Sequence, residues 1–208
     1  EAFAVLFFKR KDDGVGAKKK YAGRLFWKNG MGTREVSIVG FESSRSDYPQ
    51  IGREFMKKIL HMVLDKDPPE KVVKVINDFK EKIRNGEFKP EEIALPVSIN
   101  KPLNQYGNVM HIRAARLANE KHKEGIRVGD KIKMLFVKGD NNVIAFKDKL
   151  QPGYEIDYDS MIRRLVDLKI KPIFKSLNWT YETEKDTLES FKTLNSSIIK
   201  DKSIQKTL

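Results

Sequence analysis

Lys18-Lys19-Lys20-Tyr21 places three cations and a phenol on consecutive residues between two apolar runs. On extended backbone, such a cluster suits a surface that lies along a nucleic-acid backbone and touches base edges. A solvated lysine face has the same composition, so the cluster has to be weighed with its surroundings. The other chemistry-bearing residues form no complete catalytic set. His61, His111 and His122 are far apart and lack metal-ligand spacing. Asp157-Tyr158-Asp159 has two carboxylates that could share one face, as a magnesium pair requires, if the backbone were extended. The same residues directly precede a helical apolar pattern, where aspartate is good N-cap material, and capping is the expectation. Asp12-Asp13 reads as part of a turn. Gly14-Val15-Gly16-Ala17-Lys18 departs from phosphate-loop spacing and lacks the Ser or Thr after lysine. No serine stands in a nucleophile-elbow setting.

Composition bounds what can surround these residues. A length of 208 residues allows one ordinary domain or two small ones. A net charge of +12 favours an acidic partner, with nucleic acid the commonest. The 39% hydrophobic fraction permits a core, and 34% charged residues leave a heavily solvated surface. Absence of cysteine excludes disulfides, thiolate metal sites and cysteine nucleophiles. No apolar run approaches the roughly 20 residues of a membrane span, and the run Phe3 to Phe8 is too short for a signal peptide. These features set the expectation of an intracellular, cytoplasmic protein without a membrane partner. The chain opens on Glu1 rather than methionine, as a processed product or a piece of a longer chain would.

The elements that must position the cluster read as follows. Ala2 to Lys9, Tyr21 to Trp27 and Arg34 to Phe41 have strand composition, with Asn29-Gly30 as a hairpin signal. Such a sheet is too small to stand alone, and Phe3, Phe7 and Phe8 are expected to leave an aromatic face in need of a partner. Asp47 is expected to cap a helix with Pro49 near its start and Ile51, Phe55, Ile59 and Met62 on one stripe. Pro68-Pro69 introduces a second helix bearing Val72, Ile76, Phe79 and Ile83, ended by Asn85-Gly86. Residues 90–108, with Pro90, Pro96 and Pro102, read as irregular. A third helix spans about Met110 to Lys123, stopped by Gly125. Strands follow at Lys131 to Val137 and Val143 to Phe146. Asp157 or Asp159 opens a last helix with Ile162, Leu165 and Leu168, which Pro172 kinks or ends. From Asn178 a mobile tail is expected. The fold class is α+β: a small antiparallel sheet followed by a mainly helical domain.

Four segments in order carry a family resemblance: Ala17-Lys18-Lys19-Lys20-Tyr21-Ala22-Gly23; Gly40-Phe41-Glu42 with Arg45-Ser46-Asp47; Met110-His111-Ile112-Arg113-Ala114-Ala115-Arg116 with Gly125-Ile126-Arg127-Val128-Gly129-Asp130; and Ile156-Asp157-Tyr158. Together they resemble the end of the palm and the whole thumb of an archaeal-type family B DNA polymerase, over Glu1 to about Trp179. The resemblance implies a palm portion at 1–47, a thumb at 48–177 and a tail at 178–208. It implies a subunit or fragment of a DNA-directed DNA polymerase, a nucleotidyltransferase, that grips primer-template DNA. Lys19 and Tyr21 match the family's Lys-x-Tyr motif, whose lysine reaches the minor groove near the primer end. There, acceptors present in every Watson–Crick pair let a donor test pair shape without reading sequence.

Lys18 and Lys20, alternating with Lys19 on a strand, would meet phosphates or solvent. Arg45 is a backbone-contact candidate whose other reading is a pair with Glu42; Ser46 stands where the family often has a second arginine. Arg113 and Arg116 share a helix face and could straddle phosphates, or simply be solvated. Glu1 would match a palm glutamate near the metal site. The Tyr-x-Asp-Thr-Asp motif, the exonuclease carboxylates and the fingers helix do not occur in this sequence. The resemblance therefore implies a larger partner subunit that carries them, holds the Mg2+ and forms a heterodimeric, split polymerase. The isolated chain is then expected to be inactive. Gln205-Lys206-Thr207-Leu208 has half of a sliding-clamp-binding box, with Gln205 and Leu208 as its anchors. The reading of another class is a stand-alone basic protein binding duplex DNA or structured RNA.

Overall fold

The computed structural model describes residues 2–10 and 16–182, so Glu1, Asp12, Asp13, Gln205 and Leu208 lie outside the described residues. Strand β1 (Ala2–Arg10) pairs antiparallel with β2 (Gly16–Lys28). The other edge of β2 pairs with β3 (Met31–Gly32) and β4 (Val36–Val39). Asn29 and Gly30 carry φ of 50° and 81°, the two positive values that a tight two-residue hairpin turn demands. The strand expected at Tyr21 to Trp27 is thus longer, and the one expected at Arg34 to Phe41 is shorter.

A 3₁₀ turn at Glu42–Ser44 leads into helix α1 (Gln50–Leu64). Its N-cap is Pro49, not the expected Asp47, whose carboxylate is taken by Arg45 instead. Phe55, Ile59 and Met62 are buried as their spacing requires. Helix α2 (Pro69–Arg84) starts on Pro69, where the missing N–H costs no helical bond. Phe79 of α2 stacks on Phe55 with centroids 4.2 Å apart, joining the two helices.

Residues 90–108 are more ordered than their prolines indicate. Helix α3 (Pro90–Ile93) is followed by strand β5 (Leu95–Ser98) and a 3₁₀ turn at Leu103–Gln105. Pro96 sits within β5, which is tolerable because β5 pairs only with β6 and is an edge strand. Helix α4 (Met110–His122) ends on Lys123, in the left-handed region at φ 56°, two residues before the expected Gly125. Strands β6 (Lys131–Phe136) and β7 (Val143–Phe146) complete a second antiparallel sheet in the order β5-β6-β7. Ala114, Ala115 and Ala118 are fully buried, which brings α4 close against β7.

Helix α5 (Tyr158–Ile162) is capped by Asp157, whose carboxylate accepts from Ser160 N at 2.9 Å and Ser160 Oγ at 2.6 Å. Replacing Asp157 with alanine should cost about 1 kcal/mol, read as a lower urea midpoint at unchanged slope. A wide π turn at Arg163–Asp167 then passes into α6 (Leu168–Leu177). Pro172 does not end the helix, which continues to Leu177; Ser176 Oγ donates to the Pro172 carbonyl at 2.8 Å. Leu168, expected on the buried stripe, is 44% exposed, while Ile170, Ile173 and Phe174 are buried. Residues 178–182 are not a loose tail: Trp179 and Tyr181 pack their rings on Phe174 at 5.3 and 5.1 Å.

Helices α1 and α6 both pack on the first sheet. Phe7 is buried and stacks on Phe41 at 6.1 Å, and Phe3 sets its edge on Tyr21 at 5.9 Å. The expected bare aromatic face is therefore covered, at Phe7, from within the chain. One continuous core runs from Phe7 and Ala22 through α1 and the second sheet to Phe174. Tyr48, also in this core, donates its hydroxyl to the Leu165 carbonyl of the π turn; burial pushes its pKa upward. Among the described residues no helix is long and apolar enough to cross a membrane.

Candidate nucleic-acid interface

The lysine cluster does not lie on a regular strand. Phe8 pairs with Tyr21 and Arg10 with Gly16, so five residues of β2 bulge where β1 advances two. Lys19 sits at the crest of that bulge with φ 57°. The strict face alternation expected for Lys18, Lys19 and Lys20 therefore breaks at Lys19. Gly40, at φ 74°, lies directly beneath: a Cβ there would come 1.9 Å from the Lys19 carbonyl oxygen. Only glycine allows this approach, and the approach holds the bulge in place.

Lys19 is exposed and Lys20 half-buried, and among the described residues neither has a hydrogen bond or ion pair. Lys18 lies on the same bulged stretch of β2. Tyr21 pairs with Val39 of β4, fixing the ladder immediately after the bulge.

Arg45 does not pair with Glu42. Its Nε donates to Asp47 Oδ1 at 2.7 Å and its Nη2 to Oδ2, a bidentate contact on one guanidinium edge. That contact holds the Asp47 carboxyl below the usual carboxylate range. Glu42 instead receives Lys169 of α6, with Nζ–Oε1 at 3.3 Å. Arg113 and Arg116 both lie on α4, but they diverge rather than straddling one ligand. Arg113 Nη2 donates to Asn142 Oδ1 at 2.9 Å in the β6–β7 turn. Arg116 Nη2 donates to the Leu103 and Tyr106 carbonyls at 2.5 and 3.3 Å. Arg116 thereby braces the loop ahead of α4.

Two of the three histidines, His111 and His122, are absorbed by packing. His111 meets the Tyr106 ring edge-on at 6.0 Å, and burial lowers its pKa from the ordinary value. His122 Nε2 and Tyr154 OH are 2.5 Å apart. The Asp157–Asp159 pair does not fit a magnesium site. Asp157 is consumed by capping, and Asp159 faces Arg84 at 3.6 Å. Among the described residues no group of three or more His, Asp or Glu side chains could hold a metal ion. Two charged residues escaped the sequence reading. Lys80 repeats with Ile76 and Ile83 on the buried face of α2, a spacing that did signal its position. Lys169 has no local signal, because only the return of α6 to the first sheet brings it to Glu42.

The fold is one found in polymerases. A solved family B DNA polymerase from the hyperthermophilic archaeon Pyrobaculum calidifontis superposes with a TM-score of 0.61, covering 86% of this chain and 22% of that one at 19% identity. The sequence pattern of DNA polymerase family B matches residues 15–180, and the chain belongs to that family. The DNA polymerase of Pyrococcus horikoshii is 30% identical over 172 residues, 79% of this chain and 13% of the relative. That of Methanocaldococcus jannaschii is 29% identical over 156 residues, 74% of this chain and 9% of the relative. The chain thus spans only a small part of the length of these relatives.

Proposed function

We propose that this chain is the palm-end and thumb portion of a family B DNA polymerase, gripping primer-template duplex through minor groove and phosphates. Residues 1–47 supply the palm sheet, 48–177 the thumb and 178–208 the terminal segment. The polymerase's catalytic aspartates, with the Mg2+ they hold, belong to the remainder of the enzyme, carried on a larger chain inside the cell. Gln205 and Leu208 would be its sliding-clamp contact. The observation that carries this reading is the bulge presenting Lys19 and Lys20 without side-chain partners among the described residues, in a chain of net charge +12. Cations held on a fixed bulge are what a phosphate backbone selects.

Lys19 at the crest reaches the minor groove, and Tyr21 anchors the strand behind it. Lys18, Lys20 and Arg45 serve the backbone, with Arg113 and Arg116 further along the duplex. The test is anisotropy of labelled primer-template against salt. Lys19→Ala should lower the salt slope by about one unit. In the assembled enzyme it should slow extension from matched primer ends. Primer extension by the purified chain alone would overturn the reading.

One observation favours a second reading, a stand-alone duplex binder: the first sheet is covered from within the chain, at Phe7 by Phe41. Native affinity capture with intact masses separates the two. A larger polypeptide bearing Tyr-x-Asp-Thr-Asp supports the polymerase, whereas nucleic acid without such a partner supports the binder.

A further inference from the structure

A groove opens where the lysine bulge meets α6, walled in part by Lys20, Glu42, Arg45, Leu168, Lys169 and Pro172. We propose that this groove seats one backbone phosphate, with Lys169 of α6 as a binding residue alongside Lys20 and Arg45. The inference rests on the duplex-gripping reading and identifies a contact from the far end of the chain.

Charge and geometry both carry it. Among the described residues the groove gathers Lys20 with the Arg45–Asp47 and Lys169–Glu42 pairs, so one positive charge is left over, the complement of a single phosphodiester. Each cation also retains donors. Asp47 occupies the Nε/Nη2 edge of Arg45, which leaves the Nη1 edge, and a guanidinium can serve a carboxylate and a phosphate on separate edges. Lys169 touches Glu42 at 3.3 Å and lies 5.8 Å over the Tyr48 ring, contacts that aim the ammonium but do not consume its three hydrogens. Lys20 has no partner among the described residues. Glu42 and Asp47 act as holders: they keep the two cations oriented while the groove is empty of ligand. The exposed Leu168 at the lip gives a sugar an apolar edge to rest on.

The test measures binding of a primer-template duplex across a salt series for the full chain, Lys169→Gln, Glu42→Gln and the exposed α2 control Lys74→Gln. Lys169→Gln should reduce the salt slope by about 0.9 and weaken binding more than Lys74→Gln does. Glu42→Gln should tighten binding, a gain that a loss of folding cannot produce. A parallel melting series with inorganic phosphate distinguishes a free anion from a backbone phosphate. If wild type binds duplex and Lys169→Gln matches Lys74→Gln, the cradle is wrong while the grip stands. If phosphate raises the melting point through Lys169 but the duplex slope is unmoved, the groove is a free-anion site and the proposal fails. If wild type shows no salt-dependent duplex binding, the underlying reading falls first.

Discussion

Gly40→Ala should lower the melting temperature by roughly 4–20 °C. The added Cβ would stand 1.9 Å from the Lys19 carbonyl oxygen, a backbone atom that cannot swing aside. The residue also sits at φ 74°, where an L side chain costs about 1–2 kcal/mol. Overpacking against backbone adds about 1–3 kcal/mol, and a chain of this size loses about 2–4 °C per kcal/mol. Gly30→Ala supplies the control. Its φ is 81°, but nothing lies within 4 Å of the new methyl, so only the conformational cost applies. Thermal unfolding followed by circular dichroism compares them, and equal losses would show that the Gly40–Lys19 approach is not the constraint. The Gly40 variant should also lose duplex affinity at temperatures where it remains folded, because relaxing the clash flattens the bulge under Lys19.

Asp167→Ala should cost about 3–5 kcal/mol. Lys80 and Asp167 form a 2.6 Å ion pair with side chains only 9% and 14% exposed, and Tyr181 OH donates to the same carboxylate oxygen at 2.7 Å. The Tyr181 ring also lies 5.2 Å from the Lys80 ammonium. Removing the carboxylate takes its charge partner from a buried ammonium, which is where the large cost arises. Replacing both charges, with Lys80→Met and Asp167→Leu, should recover most of the loss, since a well-packed apolar pair avoids desolvating either ion. Urea unfolding of the two single variants and the double variant gives the coupling directly. A double variant as unstable as the sum of the singles would refute a coupled pair.

Legibility in the sequence followed the range of the interactions involved. Asn29-Gly30, Pro69 and Asp157 act on their own or adjacent backbone, and each behaves as its residue type requires. The stripes of α1 and α2 were equally readable, because burial of one helix face is written at 3.6-residue spacing. Strand β5 was hidden because Pro96 reads as a strand breaker unless the strand is known to be an edge. Asp47 was misread as a cap because Arg45, two residues away, competes for the same carboxylate. The Lys19 kink was invisible for a different reason: nothing in Lys18-Lys19-Lys20 announces a positive φ, which is imposed by Gly40 twenty-one residues later. The charged partnerships of Lys80, Lys169 and Arg116 all join distant segments, and spacing has no access to those.

The covering of β1 by α6 has a consequence for how the chain is made. The first strand leaves the ribosome about 160 residues before the helix that shields it. At 5–20 residues per second that is a delay of roughly 8–30 s. During this interval the apolar side of the sheet has Phe41 and α1 for shelter but not α6, and an unpaired β1 edge is free to join another nascent chain. Synthesis order thus makes α6 the segment that commits β1, about 160 residues upstream, to its native place. A chain stalled before Leu168 should emerge as the aggregation-prone species, held by chaperones rather than released.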